Sequence, residues 1–245
     1  MSVFSPREVT GRWGNQVMSY LTVRELASRH SADWAFDPQW SGFSLFETSA
    51  SAPASEQVTF EEACKGRAGV IKGPLLGAEY VSSYHEHPSK YLLPTAVIQQ
   101  IKTIGVHFRG ADFSQWNPAA ILPFEYYSRA LRTADPTEKM PVFVSTDDAA
   151  HPALAKFISY LDKTSRSWGL AHPGRTSAEQ SYKTLMRCSS VVCSPSTFCL
   201  TAAILSHAHT IHSHDWVTDR AAAGDGFWVA IEKNRDIGFG SITLA

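Results

Sequence analysis

The sequence predicts an α/β fold in which mostly parallel strands are covered by helices. In the second half of the chain, strand-like and helix-like segments alternate from Ile104 to Leu205. Three of these strands run directly into polar motifs: RGAD at 109–112, STDD at 145–148 and SPSTF at 194–198. Because ligands in such sheets bind beyond the carboxyl ends of the strands, we expect the three motifs to meet at one edge.

The first half of the chain has a less regular pattern. Apolar spacing predicts a helix over 14–30 that begins on the glycine-rich entry GRWGNQ, and a short helix over 60–66 that Gly66 closes. We predict extended segments at 32–38, 69–77 and 78–84, and a further helix at 94–102. The change in regularity places a domain boundary between residues 93 and 103, which gives predicted domains of 1–98 and 99–245.

The second half gives clearer boundaries. Strands are predicted up to Phe108, at 141–148 and at 189–194. Helices are predicted at 124–134, 153–163, 178–188 and 196–207. At 245 residues the chain is long enough for one large domain or two small ones, each with a substantial core.

Composition and charge exclude several classes of function. The chain has 22 basic and 23 acidic side chains, so a broad basic surface for nucleic acid is not expected. It contains no run of 18 or more apolar residues, so we predict no membrane span. The first residues lack the basic start and continuous apolar segment of a secretory signal, which predicts a cytoplasmic protein.

Cysteine and histidine spacing favours structural roles over metal binding. The four cysteines show no C-x-x-C pair, and we predict buried, reduced thiols. The histidine-rich segment HAHTIHSHD at 207–215 lacks clean helical pairing and a separate ligand group. We therefore interpret it as a strand and loop and predict no metal site there.

Arg109 is the most informative single residue, because it follows a strand directly. A guanidinium can donate two hydrogen bonds to a phosphate and always keeps its charge, so it suits a leaving group that gains negative charge. The alternative interpretation is a structural ion pair with Asp112. In SPSTF, Ser194 or Ser196 can cap a helix whose first N–H groups, at Thr197 and Phe198, attract phosphate; capping alone is the alternative there.

Two other motifs allow both a ligand and a structural interpretation. Of Asp147 and Asp148, one can accept hydrogen bonds from a ribose or base while the other caps the following helix. A metal-binding pair is less favoured, because neighbouring residues on a strand point to opposite sides. The entry GRWGNQ suits either a loop lying against a ligand or a plain turn. Neither G-x-G-x-x-G nor G-x-x-x-x-G-K-[ST] occurs.

Taken in order, these motifs resemble the alpha-1,2-fucosyltransferase family and its alpha-1,6- and protein O-fucosyltransferase relatives. GRWGNQ is similar to that family's G-R-x-G-N-Q, and FVSTDD to the A-T-D-D of the relatives. GVHFRGADF is similar to H-x-R-R-G-D-[YF], but Gly110 and Ala111 replace its second arginine and its glycine. The STF of 196–198 and the SKY of 89–91 also match, so the resemblance extends from Gly11 to about Leu205.

The resemblance implies a GT-B fold, with two Rossmann-like halves of mostly parallel strands. Domain 1–98 would then be the acceptor side, and domain 99–245 would hold the nucleotide sugar. The donor implied is GDP-fucose, used without a metal or other cofactor and with inversion at the anomeric carbon, and the acceptor is a carbohydrate hydroxyl. The Gly110 and Ala111 departures leave open another nucleotide-sugar donor, or an inactive module that binds a nucleotide or sugar.

The same resemblance assigns expected roles to individual residues. Arg109 would bind the β-phosphate, and His107 would shape the same pocket. Asp147 or Asp148 would contact the guanosine. The expected pyrophosphate contacts are Ser196, Thr197 and Phe198, with Gly14 and Asn15 facing the sugar and phosphates. Separately from the resemblance, the candidates for a general base are Asp112, His85, Glu86 and His87, of which one would act, and the alternative is a reaction without a base in which stabilisation of the leaving group dominates. The expected catalytic residues are thus Arg109, Asp112 and Asn15.

Overall fold

The computed structural model contains two sheets covered by helices. It describes residues 2–6, 13–36, 44–47, 56–72, 87–93, 98–112, 115, 121–206, 210–212 and 241–243. The predicted α/β class is confirmed. The predicted extended segment at 78–84 lies outside the described residues, as do His85 and Glu86.

The N-terminal sheet has four short parallel strands in the order β2-β1-β4-β3. They are β1 (Val3–Pro6), β2 (Asp33–Trp34), β3 (Gln57–Val58) and β4 (Val70–Ile71). Helix α1 (Trp13–Arg29) lies between β1 and β2, close to the predicted bounds. Helix α2 (Phe60–Cys64) begins with a capping box, in which Thr59 and Glu62 bond each other's backbone N–H groups. Gly66 follows it with a φ of 93°, as its closing role requires.

The C-terminal sheet has six strands in the order β10-β9-β8-β5-β6-β7. These are β5 (Ile101–Phe108), β6 (Val142–Thr146), β7 (Trp168–Ala171), β8 (Cys188–Cys193), β9 (Thr210–His212) and β10 (Ser241–Thr243). All neighbours pair in parallel except β10, which is antiparallel to β9. The helices of this half are α3 (Phe124–Ala134), α4 (Pro152–Asp162), α5 (Ala178–Arg187) and α6 (Thr197–Leu205).

One apolar core joins the two halves. Helix α1 packs against α6, and its buried Val17, Met18 and Leu21 belong to the same cluster as Leu185 and Leu200. A second core lies within the C-terminal half, between β5 and β6 on one side and α3 and α4 on the other. The shared core therefore fixes α1 against the C-terminal sheet at the point where α6 begins.

The helix predicted at 94–102 is wrong in its described part. Residues 98–100 have no regular structure and β5 begins at Ile101, which pairs with Cys188. The Gln100 amide donates to the carbonyl of Ser206 at 2.8 Å, so this segment bonds to the rest of the C-terminal half instead of to itself. Local apolar spacing favoured a helix, and tertiary pairing overrode it.

Strands β1, β3, β7 and β10 were missed by the sequence pattern, because each has only two to four residues. The domain boundary near residue 98 remains a prediction. Within the described residues, no helix is both long and apolar enough to cross a membrane.

Candidate functional site

The three polar motifs meet at the carboxyl edge of the C-terminal sheet. Strand β5 lies between β8 and β6, so the residues that follow these three strands are neighbours in space. Ser194 extends the β8–β5 ladder beyond the strand, since its N–H donates to the carbonyl of His107 at 3.0 Å. Helix α6 begins just after this loop, and the first turn of α1 packs against it.

Arg109 lies between two carboxylates at this edge. Its Nη1 is 2.9 Å from Oδ2 of Asp147, and its Nη2 is 2.9 Å from Oδ1 and 3.0 Å from Oδ2 of Asp112. The arginine side chain is 13% exposed. The ion pair with Asp112 is thus present, and it shares the guanidinium with Asp147.

Asp147 is tied more firmly than Asp112. Its Oδ1 accepts the N–H groups of Gly110 at 2.8 Å and Ala111 at 3.2 Å. Burial opposes its charge, but Arg109 and these two N–H groups outweigh burial and lower the pKa of Asp147 below its ordinary value. Asp147 is therefore an ionised anchor that holds the RGAD loop and orients Arg109.

The prediction that one of the two aspartates caps the next helix is wrong. Helix α4 begins at Pro152, which leaves His151 in the capping position, and the Nδ1 of His151 accepts the N–H of Ala153 at 3.1 Å. Asp148 instead accepts the N–H of Ala150 at 3.1 Å in a tight turn. Asp148 lies on the same loop as Asp147 and is partly exposed.

His107 is buried behind the site, with 3% of its surface exposed. Its Nδ1 is 2.8 Å from the hydroxyl of Ser194, and its ring centre is 5.3 Å from that of Phe198. Burial, together with the charge of Arg109, lowers the pKa of His107 to about 3. The imidazole is therefore neutral at physiological pH and brings no positive charge to a phosphate.

The start of α6 differs from a simple serine-capped helix. Ser196 occupies the capping position, but its side chain makes no capping hydrogen bond, and the hydroxyl of Ser194 contacts His107 instead. The predicted capping position, Ser196, is therefore confirmed, but its predicted side-chain bond is not formed. The side chain of Ser196 thus accepts no N–H group at the start of α6, where the positive end of the helix dipole lies.

Asn15 and Gly14 contact α6 directly. The hydroxyl of Thr197 donates to Oδ1 of Asn15 at 2.7 Å. A Cβ on Gly14 would lie 2.5 Å from the Cα of Phe198 and 2.6 Å from the carbonyl carbon of Thr197, closer than real Cβ atoms approach. Glycine is therefore required at position 14 by the close approach of the two helices.

Gly110 is confined by its neighbours. A Cβ there would lie 3.0 Å from the Cβ of Asp148 and 3.1 Å from the ring of Phe108. A longer side chain at this position therefore requires Asp148 to shift. Glycine, which stands here where the resembling motif has its second arginine, fits this crowded position without such a shift.

The cysteine prediction is partly wrong. Cys193, at the end of β8, and Cys199, in the first turn of α6, form a disulfide, with their Cα atoms 5.6 Å apart. Cys64 and Cys188 are free, and burial raises the pKa of the Cys188 thiol to about 12. The overlooked signal was the six-residue spacing between a strand end and a helix start, two segments of the chain that lie side by side.

The remaining expected residues are only partly described. His87 is exposed and precedes a 3-10 turn at Pro88–Lys90. Among the residues that the structure describes, no group of three or more His, Cys, Asp or Glu side chains is placed to hold a metal ion.

Two features of the site were not predicted from the sequence. One is the contact of Ser194 with His107, and the other is the packing of aromatic side chains behind the site. Trp13 and Tyr182 provide this packing, since both lie against Phe198.

Neither a protein-family profile nor a curated protein sequence matches the chain. Solved structures do. The NodZ alpha-1,6-fucosyltransferase soaked with GDP-fucose superposes with a TM-score of 0.55 at 17% identity, over 88% of this chain and 95% of NodZ. A further structure of NodZ, from Bradyrhizobium, gives 0.50 at 18% identity over 88% and 95% of the two chains.

A plant enzyme has the same architecture. FUT1 of Arabidopsis thaliana, as an arginine-to-lysine variant in complex with GDP, superposes with a TM-score of 0.54 at 12% identity, over 86% of this chain and 70% of FUT1. The chain has the fold of the GT-B fucosyltransferases. At these identities the likeness concerns the fold, so the role of each site residue has to be argued from its own geometry.

Proposed function

We propose that the protein is an inverting, metal-independent glycosyltransferase that transfers fucose from GDP-fucose to a carbohydrate hydroxyl. The observation that carries the proposal is the meeting of Arg109 and the start of α6 at the carboxyl edge of the C-terminal sheet. A guanidinium held by Asp147 and a helix start with no serine cap bond form the proposed diphosphate site, which uses no metal. The shared fold with a GDP-fucose-soaked fucosyltransferase supports this donor.

We propose that only one of the two carboxylates paired with Arg109, that of Asp112, leaves the arginine when the donor binds. The side chain of Asp112 is 44% exposed, whereas that of Asp147 is 17% exposed and accepts two backbone N–H groups. An incoming phosphate therefore displaces Asp112 and leaves Asp147 in place. Arg109 then contacts the β-phosphate with Nη2 while Nη1 stays on Asp147.

In the proposed reaction the acceptor hydroxyl attacks C1 of the fucose in line with the departing GDP. The C1–O bond to the β-phosphate breaks, and its electron pair stays on the phosphate oxygen, where Arg109 and the start of α6 stabilise the charge. Asp112, released from Arg109, is a proposed acceptor for the hydroxyl proton. His85, Glu86 and His87 are the alternative bases.

The other expected residues receive more specific proposals. Asp148 is the better of the two aspartates for the guanosine, because Asp147 is occupied by Arg109 and the RGAD loop. Asn15 and Gly14 act by fixing the start of α6, since Asn15 accepts from Thr197. Thr197 and Phe198 bring their backbone N–H groups to the pyrophosphate. The acceptor-side role of the N-terminal half and a cytoplasmic location remain predictions.

The test is turnover of GDP-fucose with a panel of carbohydrate acceptors in the presence of EDTA, followed by GDP release and by NMR of the product. We expect GDP release that depends on the acceptor, at rates that EDTA does not change. Because the donor is β-linked and the proposed reaction inverts the anomeric carbon, the product should carry α-linked and not β-linked fucose. Activity that EDTA abolishes and manganese restores contradicts metal independence. GDP binding without transfer to any acceptor supports the binding-module alternative instead.

A further inference from the structure

Ser194 makes two bonds to one residue across the sheet. It follows β8 directly and is buried, with 2% of its surface exposed. Its N–H donates to the carbonyl of His107 at 3.0 Å, and its hydroxyl lies 2.8 Å from Nδ1 of the same residue. The loop between β8 and α6 is therefore fixed to the end of β5 through both backbone and side chain.

His107 in turn supports the start of α6. Its ring packs on Phe198, the second residue of that helix, with the ring centres 5.3 Å apart. Burial and Arg109 keep the imidazole neutral, so it can hold the Ser194 hydroxyl by a hydrogen bond without changing its charge near neutral pH. One buried imidazole thus contacts both a residue of the loop before the helix and a residue inside its first turn.

We propose that Ser194 is a positioning residue that holds the start of α6 at the diphosphate site by means of its contacts with His107. The proposal rests on the proposed function for the ligand that the helix start receives. Ser196, in the capping position, makes no side-chain capping bond, so the hydroxyl of Ser194 supplies a constraint on this loop that a serine cap would otherwise give. Thr197 provides the second constraint, on the opposite side, through Asn15.

The test compares Ser194→Ala with Ser190→Ala in the complete protein. Ser190 is likewise a buried serine, but it lies within β8 and pairs with Ile104 far from the helix start, which makes it a matched control. Hydrogen exchange is followed at Leu200, whose N–H makes the first backbone bond of α6 to the carbonyl of Ser196 at 3.1 Å. GDP affinity is measured on the same variants, and melting curves establish that each is folded.

In Ser194→Ala we expect exchange at Leu200 to be about tenfold faster and GDP binding to be about tenfold weaker. Ser190→Ala should match the wild-type protein in both. Ser194→Thr, which keeps the hydroxyl, should show wild-type exchange at Leu200 and wild-type GDP affinity. Wild-type exchange at Leu200 in Ser194→Ala overturns the proposal, as does equal loosening in Ser190→Ala. If the wild-type protein binds no GDP, the proposed function fails, while the exchange comparison still decides the role of Ser194.

Discussion

At the scale of single residues, Arg109 combines a structural and a proposed catalytic role. Nη1 and Nη2 each contact a different aspartate, so the planar fork is held in one orientation before any ligand binds. A lysine has a single ammonium group and cannot contact both carboxylates with the same geometry. The orientation of the guanidinium is therefore set by Asp147, and this orientation is what a leaving phosphate would need.

We expect Arg109→Lys to lower kcat by about a hundred- to a thousandfold, equivalent to about 3–4 kcal/mol, because a single ammonium group cannot contact Asp147 and the β-phosphate together as the two Nη atoms do. Stability should also fall, since the contacts with Asp112 and Asp147 cannot both be kept. The measurement is kcat together with the melting temperature.

The control is Arg166→Lys. Arg166 is fully buried and pairs at 2.7 Å with Asp135, a residue of the loop between α3 and β6. The control variant should lose stability and keep kcat. Near-normal turnover in Arg109→Lys would remove the catalytic role.

The lowered pKa of Glu25 makes the free energy of unfolding depend on pH. Burial alone would raise its pKa, but hydrogen bonds from Lys90, Tyr91 and Arg29 outweigh burial and lower the pKa to about 2 from an ordinary 4.5. A carboxyl group with a lowered pKa stabilises the fold above its unfolded pKa and loses that contribution as the pH falls. We therefore expect stability to decline between about pH 5 and pH 2.

Denaturant unfolding across this pH range checks the prediction. Glu25→Gln should flatten the decline, because the titrating group is gone. Glu61→Gln is the control, since Glu61 is an exposed glutamate paired with Lys65, and exposed pairs contribute little to stability. An unaltered pH profile in Glu25→Gln would show that other carboxylates dominate.

At the scale of elements, the contact between α1 and α6 sets the geometry of the site. We expect Gly14→Ala to destabilise the protein by about 1–3 kcal/mol, because the added methyl group meets the backbone of Phe198 and cannot be relieved by a rotamer change. Gly169→Ala in β7 is the matched control, as its Cβ would meet nothing within 4 Å. Urea unfolding should leave that control near the wild type. Equal stability of both variants would mean that the helices do not approach so closely.

The disulfide between Cys193 and Cys199 closes the loop that leads into α6. We expect its reduction to cost about 2 kcal/mol, the amount expected from the loop-closure entropy of so short a loop. Unfolding is measured with and without a reductant, with thiol titration to establish the redox state. A Cys193→Ala/Cys199→Ala double variant should no longer respond, whereas Cys64→Ala should respond as the wild type does. A fully reduced protein of unchanged stability would contradict the prediction.

Element positions were readable from the sequence where the apolar pattern was long. Helix α3 was predicted at its observed bounds, Phe124–Ala134, and the strands leading to the three polar motifs were found. The short strands β1 and β3 of the N-terminal sheet were not, because they are too short to show a clear period of two. Their positions are set by pairing with β2 and β4 and not by local preference.

At the scale of the whole molecule, topology explains why the site could be anticipated in outline. Alternating strands and helices predicted a parallel sheet, and a parallel sheet brings its carboxyl ends to one edge. The sequence could not show which side chains contact each other at that edge. Thr197 and Asn15 are 182 positions apart, and Ser194 and His107 are 87 apart. Such contacts depend on how the two halves and their strands are arranged, which local patterns do not encode.

The shared core adds a constraint that no motif revealed. Residues of α1 and of α6 belong to one buried cluster, so the N-terminal helix forms part of the support for the C-terminal site. The loop before α6 is held by His107 on one side and by Asn15 on the other. The start of α6, one part of the proposed donor site, is therefore held in place before the ligand arrives.

Thermal unfolding with a panel of nucleotides tests the central claim, donor binding at this site, most directly. A ligand that binds only the folded state stabilises it by about 2.7 kcal/mol at a hundredfold excess over its Kd. We expect GDP to raise the melting temperature of the wild-type protein, UDP, ADP and CMP to leave it nearly unchanged, and Arg109→Lys to reduce the GDP effect. No shift with GDP, or an equal shift with UDP or ADP, would contradict the account.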